Sequence, residues 1–294
     1  MLLSLGLLAG SALLFYAFWI EPRRIRVTRL SLPVEGLARP LRLLVMGDLQ
    51  STGPHETPER LAALAELASA QNPDIVLLVG DYACRGKLLN SGIVPPEITA
   101  EALASIPAPM GHFAVLGNHD WWWNGPRVRQ VLSRAGIAVL EDEARLAKNG
   151  TTALWVAGLR DAVTQGCDIA ATLAKTDGQA PVVLLSHTPD VFPAVPPDVA
   201  LTLAGHTHGG QICLPLIGAP VIPSRYGQRY RYGHVVEKGH HLYVTSGVGT
   251  SKLPLRFLAP PEIAVIDLMP QDSSAPAGVE FQEQGAPAPA NTKG

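Results

Sequence analysis

Two histidines, one residue apart and flanked by glycines, stand out in Gly205-His206-Thr207-His208-Gly209-Gly210-Gln211. They follow the apolar run Ala200-Leu201-Thr202-Leu203-Ala204, which reads as a short buried strand. Just past a strand end, with glycine on both sides, two imidazoles are free to turn toward one centre. Imidazole nitrogens are the commonest transition-metal ligands, so the loop is a metal-site candidate. Taken alone, it reads equally as a polar turn whose histidines face water. Repetition separates the two readings. Residues 41–46 run into Gly47-Asp48-Leu49-Gln50, residues 75–79 into Gly80-Asp81, residues 113–116 into Gly117-Asn118-His119-Asp120, and residues 182–186 into His187. In α/β sheets, ligands bind beyond the carboxyl ends of the strands, so these side chains are expected to converge on one place.

The elements that must position them alternate between strand and helix. Thr57-Pro58 gives an N-cap followed by proline at the first helical position, and Leu61, Leu64 and Leu67 keep a helical spacing. Helices are expected over 61–70, 97–105 and 127–135, and further strands over 151–157, 242–245 and 263–268. A loop rich in Pro, Gly, Tyr and Arg fills 214–233, and three adjacent tryptophans follow His119-Asp120. Such a triplet cannot face a core as a whole, so at least one indole is expected at the surface.

Residues 2–20 carry no charge and reach about 28 Å as a helix, close to the hydrocarbon thickness of a bilayer. Tyr16, Phe18 and Trp19 fall where an interfacial aromatic belt belongs. With no basic segment ahead of it and no small-x-small cleavage site before Glu21, the segment reads as an uncleaved single-pass anchor over 1–22. Residues 23–40 read as a basic juxtamembrane linker. Its Arg23, Arg24, Arg26 and Arg29 place the main domain on the cytoplasmic side of the inner membrane by the positive-inside rule. From 270 to 294 the chain turns to Pro, Ala, Gly, Ser, Gln and Glu without apolar period, and is expected to be disordered. The net charge of -2 and the lack of a basic block beyond residue 30 give no support for nucleic-acid binding. Three widely spaced cysteines form neither a disulfide framework nor a zinc knuckle.

The ordered set Gly47-Asp48-x-Gln50, Gly80-Asp81, Gly117-Asn118-His119-Asp120, His187 and Gly205-His206-Thr207-His208 resembles the calcineurin-like metallophosphoesterases across residues 41–269. Gly209-Gly210-Gln211, Ser246-Gly247-Val248-Gly249 and the segment from Leu255-Arg256-Phe257 to Pro260-Pro261-Glu262-Ile263 resemble its membrane-associated bacterial phosphodiesterase-like branch. The resemblance implies an α/β (α+β) fold: a two-sheet β-sandwich flanked by helices, here with an N-terminal transmembrane helix. It implies two divalent metal ions (manganese, zinc or iron), one held by Asp48, Gln50, Asp81 and His208. The other would be held by Asp81, Asn118, His187 and His206, with Asp81 bridging. A bridging hydroxide would attack phosphorus in line, with His119 protonating the leaving group and Asp120 orienting His119.

One position departs from the family pattern. Most members carry histidine where this chain has Gln50, and an amide oxygen binds a metal less strongly than imidazole. His55 reads as a loop histidine at the substrate mouth, and Trp122, Arg225 and Arg229 as further substrate contacts. The implied activity is hydrolysis of a phosphodiester or pyrophosphate bond. The anchor, arginines and aromatics point to a lipid-linked substrate such as UDP-diacylglucosamine or a phospholipid. A tethered enzyme for soluble phosphodiesters and a non-catalytic metal-binding scaffold are the rival readings.

Overall fold

The computed structural model describes residues 2–86, 92–271 and 278–282. Helix α1 (Leu2–Phe15) continues through one wider turn, Tyr16–Ile20, and a 3-10 turn, Glu21–Arg23. It is apolar all round, and Leu5, Leu7, Leu8, Leu13, Leu14 and Phe15 are exposed. Ser4–Arg23 is long and apolar enough to cross a membrane.

The chain then builds β1 (Arg26–Val34), β2 (Leu41–Met46), α2 (Pro58–Ser69), β3 (Ile75–Leu78), α3 (Pro96–Ala104), β4 (His112–Ala114), α4 (Asn118–Arg134) and β5 (Ala138–Val139). Strands β6 (Glu143–Asn149) and β7 (Thr152–Gly158), helix α5 (Ile169–Leu173), and strands β8 (Val182–Leu185) and β9 (Val199–Ala204) follow. Strands β10 (Gly233–Glu237), β11 (His240–Val244), β12 (Glu262–Pro270) and β13 (Gly278–Gln282) complete it. One sheet has the order β13-β1-β12-β2-β3-β4-β5, the other β10-β11-β9-β8-β7-β6.

Period-two alternation explains how the sheets stack. Leu41, Leu43 and Val45 of β2, with Ile75 and Leu77 of β3, face Leu154, Val156, Val183, Leu185, Leu201 and Leu203 of the second sheet. The intervening Leu44, Met46, Val76 and Leu78 face α2, α3 and α4 instead. Both faces of the central strands are therefore buried, which is why these strands are continuous apolar runs. The buried Glu262 carboxylate ties the sheets together, accepting hydrogen bonds from Thr28 Oγ1 at 2.8 Å, Tyr243 OH at 3.0 Å and Tyr232 OH. In α2, Thr57 accepts the backbone N–H of Arg60 at 3.2 Å and Pro58 opens the first turn, as the sequence predicts.

Three expectations need correction. Residues 23–40 are not a plain linker: Arg26–Val34 forms β1, parallel to β12 with Leu30 opposite Ile266 and Leu32 opposite Leu268. Leu30, Leu32 and Val34 enter the sandwich core, and Pro33 sits beyond the β13 pairing, where its missing N–H costs no ladder bond. Within the tail expected to be disordered, Gly278–Gln282 forms β13 against β1, whereas 272–277 and 283–294 lie outside the described residues. The helix expected over 127–135 starts earlier, at Asn118, and bends at Asn124 ahead of Pro126.

Candidate metal centre

The carboxyl ends of β2, β3, β8 and β9, and the segment leading from β4 into α4, meet at one edge of the sandwich. Hydrogen bonds from Asp48 N to the Gly80 carbonyl and from Gln50 N to the Asp81 carbonyl, each 2.8 Å, lock the first two ends together. Asp48 (φ 52°), Gln50 (φ 42°), Asp81 (φ 60°), His206 (φ 71°) and His208 (φ 52°) all hold left-handed backbone. Each such residue costs on the order of 1–3 kcal/mol, a strain that persists only where surrounding contacts fix it. Gly117 is one of those constraints: a Cβ there would stand 2.2 Å from Asp81 Oδ1 and 2.7 Å from the His187 ring.

His187 Nδ1 lies 2.8 Å from the Val79 carbonyl, which fixes the proton on that nitrogen and turns the Nε2 lone pair inward. Around Nε2 stand Asn118 Oδ1 at 3.0 Å, His206 Nδ1 at 3.1 Å and Asp81 Oδ2 at 3.3 Å. Asp81 Oδ2 is also 3.3 Å from Gln50 Nε2, which touches His208 Nε2 at 3.0 Å, and His208 Nε2 lies 3.6 Å from Asp48 Oδ1. All seven residues proposed from sequence as ligands thus fall in one continuous cluster, with Asp81 touching both halves.

The cluster fits cations. Asp81, His187 and His206 alone place ligand atoms within 4.8 Å of one another. The buried Gln50 Oε1 and His208 Nδ1 have no hydrogen-bond partner, a cost accepted where a metal or strong donor belongs. Burial, opposed by His187 and reinforced by Asp81, pushes the Asp48 carboxyl up to about 7. Burial also acts on Asp81, yet His187 holds that carboxyl below the usual range. Against its own burial, His187 is driven up to about 10 by Asp81. Burial, then His187, takes His206 down to about 4. The two sequestered carboxylates thus face two imidazoles, His206 and His208, that burial keeps neutral, while Asp81 draws positive charge onto His187, a charge that divalent cations would supply.

Asp120 has a different place from the one expected. Its oxygens accept backbone N–H groups from Asp81 (2.8 Å), Tyr82 (2.8 Å), Ala83 (2.9 Å) and Gly117 (2.9 Å). The carboxylate is a clamp on the Asp81 turn rather than the partner that orients His119, because the four N–H groups saturate both oxygens. His119 is half-buried at the cluster rim; its backbone N–H donates to Asp81 Oδ1 at 2.8 Å. Its Nδ1 is 3.4 Å from Cys84 Sγ, a contact that isolated-thiol reasoning misses. Trp122 is 47% exposed and packs edge-on to His119, ring centroids 4.9 Å apart, while Trp121 and Trp123 pack against the helical core.

A family model for calcineurin-like phosphoesterases matches residues 41–210, more than half of the chain. The chain belongs to this family. It is 30% identical to the metallophosphoesterase YkuE of Bacillus subtilis (strain 168) over 275 residues, spanning 90% of this chain and 93% of YkuE. It is 30% identical to the phosphodiesterase YaeI of Escherichia coli (strain K12), across 79% of this chain and 83% of YaeI. Identity to the UDP-2,3-diacylglucosamine pyrophosphatase LpxG of Chlamydia trachomatis is 27%, across 85% of this chain and 91% of LpxG. As a calcineurin-like phosphoesterase, the chain is a phosphoric ester hydrolase of a family that uses divalent metal ions.

In this phosphoesterase a buried arginine supports the centre from beneath. Arg256 donates through Nε to the Gly249 carbonyl at 2.9 Å and through its other nitrogens to Ala259 (2.7 Å), Ser246 (2.8 Å), Gly247 (3.2 Å) and His208 (3.4 Å). The loop it gathers packs on the end of β2. A Cβ on Gly249 would meet the Leu49 carbonyl at 2.1 Å and the Asp48 carbonyl at 2.8 Å. Gly249→Ala is therefore expected to cost roughly 1–3 kcal/mol as an overpacking change. Thermal unfolding in parallel with metal titration checks this, and a variant with unchanged melting and metal affinity would refute it.

The remaining residues divide. A cleft of about 260 Å³ opens beside His206, lined by Thr188, Asp190 and Arg225, whose guanidinium pairs with Asp190 at 3.4 Å. Arg229 is instead bound in a fork to Glu237 at 2.6 and 2.7 Å and lies over the Tyr230 ring, so its donors are committed to the fold. His55 is buried rather than at a mouth: Nε2 contacts the Pro254 carbonyl at 2.9 Å, and its ring meets Phe18 and Trp19. It joins the N-terminal helix to the catalytic body.

Proposed function

We propose that this chain is a membrane-anchored, two-metal phosphodiesterase or pyrophosphatase acting on a lipid-linked phosphate. The observation that carries the metal assignment is the single cluster of Asp48, Gln50, Asp81, Asn118, His187, His206 and His208, joined through Asp81. Two divalent ions (manganese, zinc or iron) held by those residues would activate a water and offset charge on the phosphoryl oxygens. The residues of the chain do the rest. His119, on the first turn of α4 and half-buried beside the cluster, would donate a proton to the departing oxygen. Trp122 shields one face of that imidazole from water. Asp120 keeps the Asp81 turn rigid, and Arg225 stands at the cleft beside His206 to meet phosphate oxygens.

The names of YaeI and LpxG support diesters and pyrophosphates as the substrate class. The apolar helix ending on the catalytic body supports a membrane-resident substrate. Arg23, Arg24, Arg26 and Arg29 follow that helix and favour a cytoplasmic catalytic domain of an inner-membrane protein. A periplasm-active reporter fused after Arg29 would contradict that orientation.

The test is hydrolysis of bis-p-nitrophenyl phosphate, p-nitrophenyl phosphate and a lipid-linked pyrophosphate by metal-stripped protein with each ion returned singly. His119→Ala is expected to keep its metal and lose about 10²–10⁴-fold in kcat. Preference for the monoester, or undiminished turnover in His119→Ala, would overturn the reading.

A further inference from the structure

A hairpin near the centre presents aliphatic side chains that nothing in the described chain covers. It is closed by Leu214 N to the Gly218 carbonyl at 2.8 Å and Gly218 N to the Leu214 carbonyl at 2.9 Å. Leu216 sits at its tip with φ 67° and is fully exposed; Ile217 (69%) and Val221 (76%) stand out beside it. A leucine held in left-handed backbone and turned wholly into water is unfavourable on both counts. Leu253 and Leu258 add two more exposed leucines on the neighbouring loop.

The foot of this hairpin is fixed to the end of the N-terminal helix. Ala219 packs with Cys213 and Ala259, and Ala259 N donates to Glu21 Oε1 at 2.6 Å while Leu258 N donates to Oε2 at 2.9 Å. Arg256 N reaches the Ala17 carbonyl at 2.9 Å, and Phe257 meets Tyr16 edge-on with centroids 6.3 Å apart. At the same level, Arg23 lies over the Trp19 ring at 4.1 Å, and Arg24 donates to Tyr16 OH at 3.5 Å. Aromatic and arginine side chains grouped in this way mark the headgroup region of a bilayer.

We propose that the hairpin 214–221, with Leu253 and Leu258, dips into the same bilayer that the N-terminal helix crosses, holding the metal centre at the membrane surface. This rests on the membrane anchor proposed above. The occupant is lipid because the apolar tips extend from residues locked to the point where the helix leaves the hydrocarbon. Lys252, exposed beside Leu253, matches an anionic headgroup layer. Gln211, three residues past His208, binds the facing loop through its amide: Nε2 to the Leu253 carbonyl at 2.9 Å, Oε1 from Ser251 N at 2.7 Å. The tip lies about eight residues from His208, hence within roughly 30 Å of it. A phosphate at headgroup level would reach the centre without its lipid leaving the membrane.

The full chain is reconstituted into phosphatidylethanolamine–phosphatidylglycerol vesicles, with nitroxides placed singly by Leu216→Cys, Leu8→Cys and Lys148→Cys in a Cys167→Ser background. Cys84 and Cys213 are buried. Collision with oxygen is expected to exceed collision with a nickel chelate at 216 and 8, with the opposite order at 148. Chelate access at 216 with lipid protection at 8 overturns the hairpin proposal and leaves the anchor standing. Chelate access at both overturns the anchor as well. Shielding at 216 from both reagents identifies a protein partner or a second copy and also overturns it. In the same vesicles, Leu216→Glu with Ile217→Glu is expected to slow a lipid-embedded diester about tenfold through lost effective concentration, leaving bis-p-nitrophenyl phosphate unchanged. Equal change on both substrates overturns the proposal.

Discussion

Asp81→Asn is expected to lower kcat on bis-p-nitrophenyl phosphate by on the order of 10³-fold or more, a loss of about 4 kcal/mol of transition-state stabilisation. Asp81 Oδ2 lies 3.3 Å from both His187 Nε2 and Gln50 Nε2, so it is the side chain common to the two halves of the cluster. Asparagine keeps the shape and one oxygen, and that oxygen can still accept the His119 backbone N–H. Removing the charge takes away the anion that drives His187 upward and that adds to the burial acting on Asp48. The variant should therefore bind less metal, and its metal-free form should melt somewhat lower because the Asp81–His187 attraction is lost. Metal content by mass spectrometry, turnover and melting temperature separate the effects. Parental turnover in Asp81→Asn would sink the shared-ligand assignment, and a collapsed melting temperature would assign Asp81 to folding.

The second large effect concerns Arg256, whose guanidinium is wholly buried and bonded to five backbone carbonyls. Burial pulls its pKa down to about 10, which leaves it charged at neutral pH. Arg256→Met fills much of the volume and orphans the carbonyls, each worth about 1–3 kcal/mol when left unpaired. Partial relaxation brings the expected total to about 3–5 kcal/mol. For a domain of this size that lowers the melting temperature by roughly 6–20 °C. Lysine supplies a charge but not a planar fork, so Arg256→Lys should fall between the two. Calorimetry decides, and a methionine variant melting within about 2 °C of the parent would refute the cage.

The sequence made the centre readable because each ligand follows a strand whose apolar run is itself a strong signal. Asp48, Asp81, His187 and His206 sit two or three positions past β2, β3, β8 and β9, and Asn118 follows β4 within a few residues. What was not readable depends on partners distant in sequence or on backbone geometry. Strand β1 looked like a basic linker because its mate is β12, and only that pairing gives Leu30, Leu32 and Val34 a core to enter. His55 took its meaning from Phe18 and Trp19, on the helix that the sequence assigned to lipid. Arg229 resembled a phosphate grip until Glu237 occupied its fork. Asp120 followed an acid-loop histidine and so suggested a dyad, whereas its reach to the turn after β3 exists only once β3 and β4 are paired.

The pairing of β1 with β12 also orders events during synthesis. Thr28 hydrogen-bonds Glu262, 234 residues later in the chain. At ribosomal rates of about 5–20 residues per second, the apolar helix emerges roughly 10–50 s before that partner exists. On the proposed anchoring, that helix would be delivered to its membrane while the catalytic body is still incomplete, and the first sheet closes only with one of the last strands made. A chain truncated ahead of β12 would keep that helix but leave β1 and β2 without the strand that joins them in the sheet, so its apolar residues would stand uncovered.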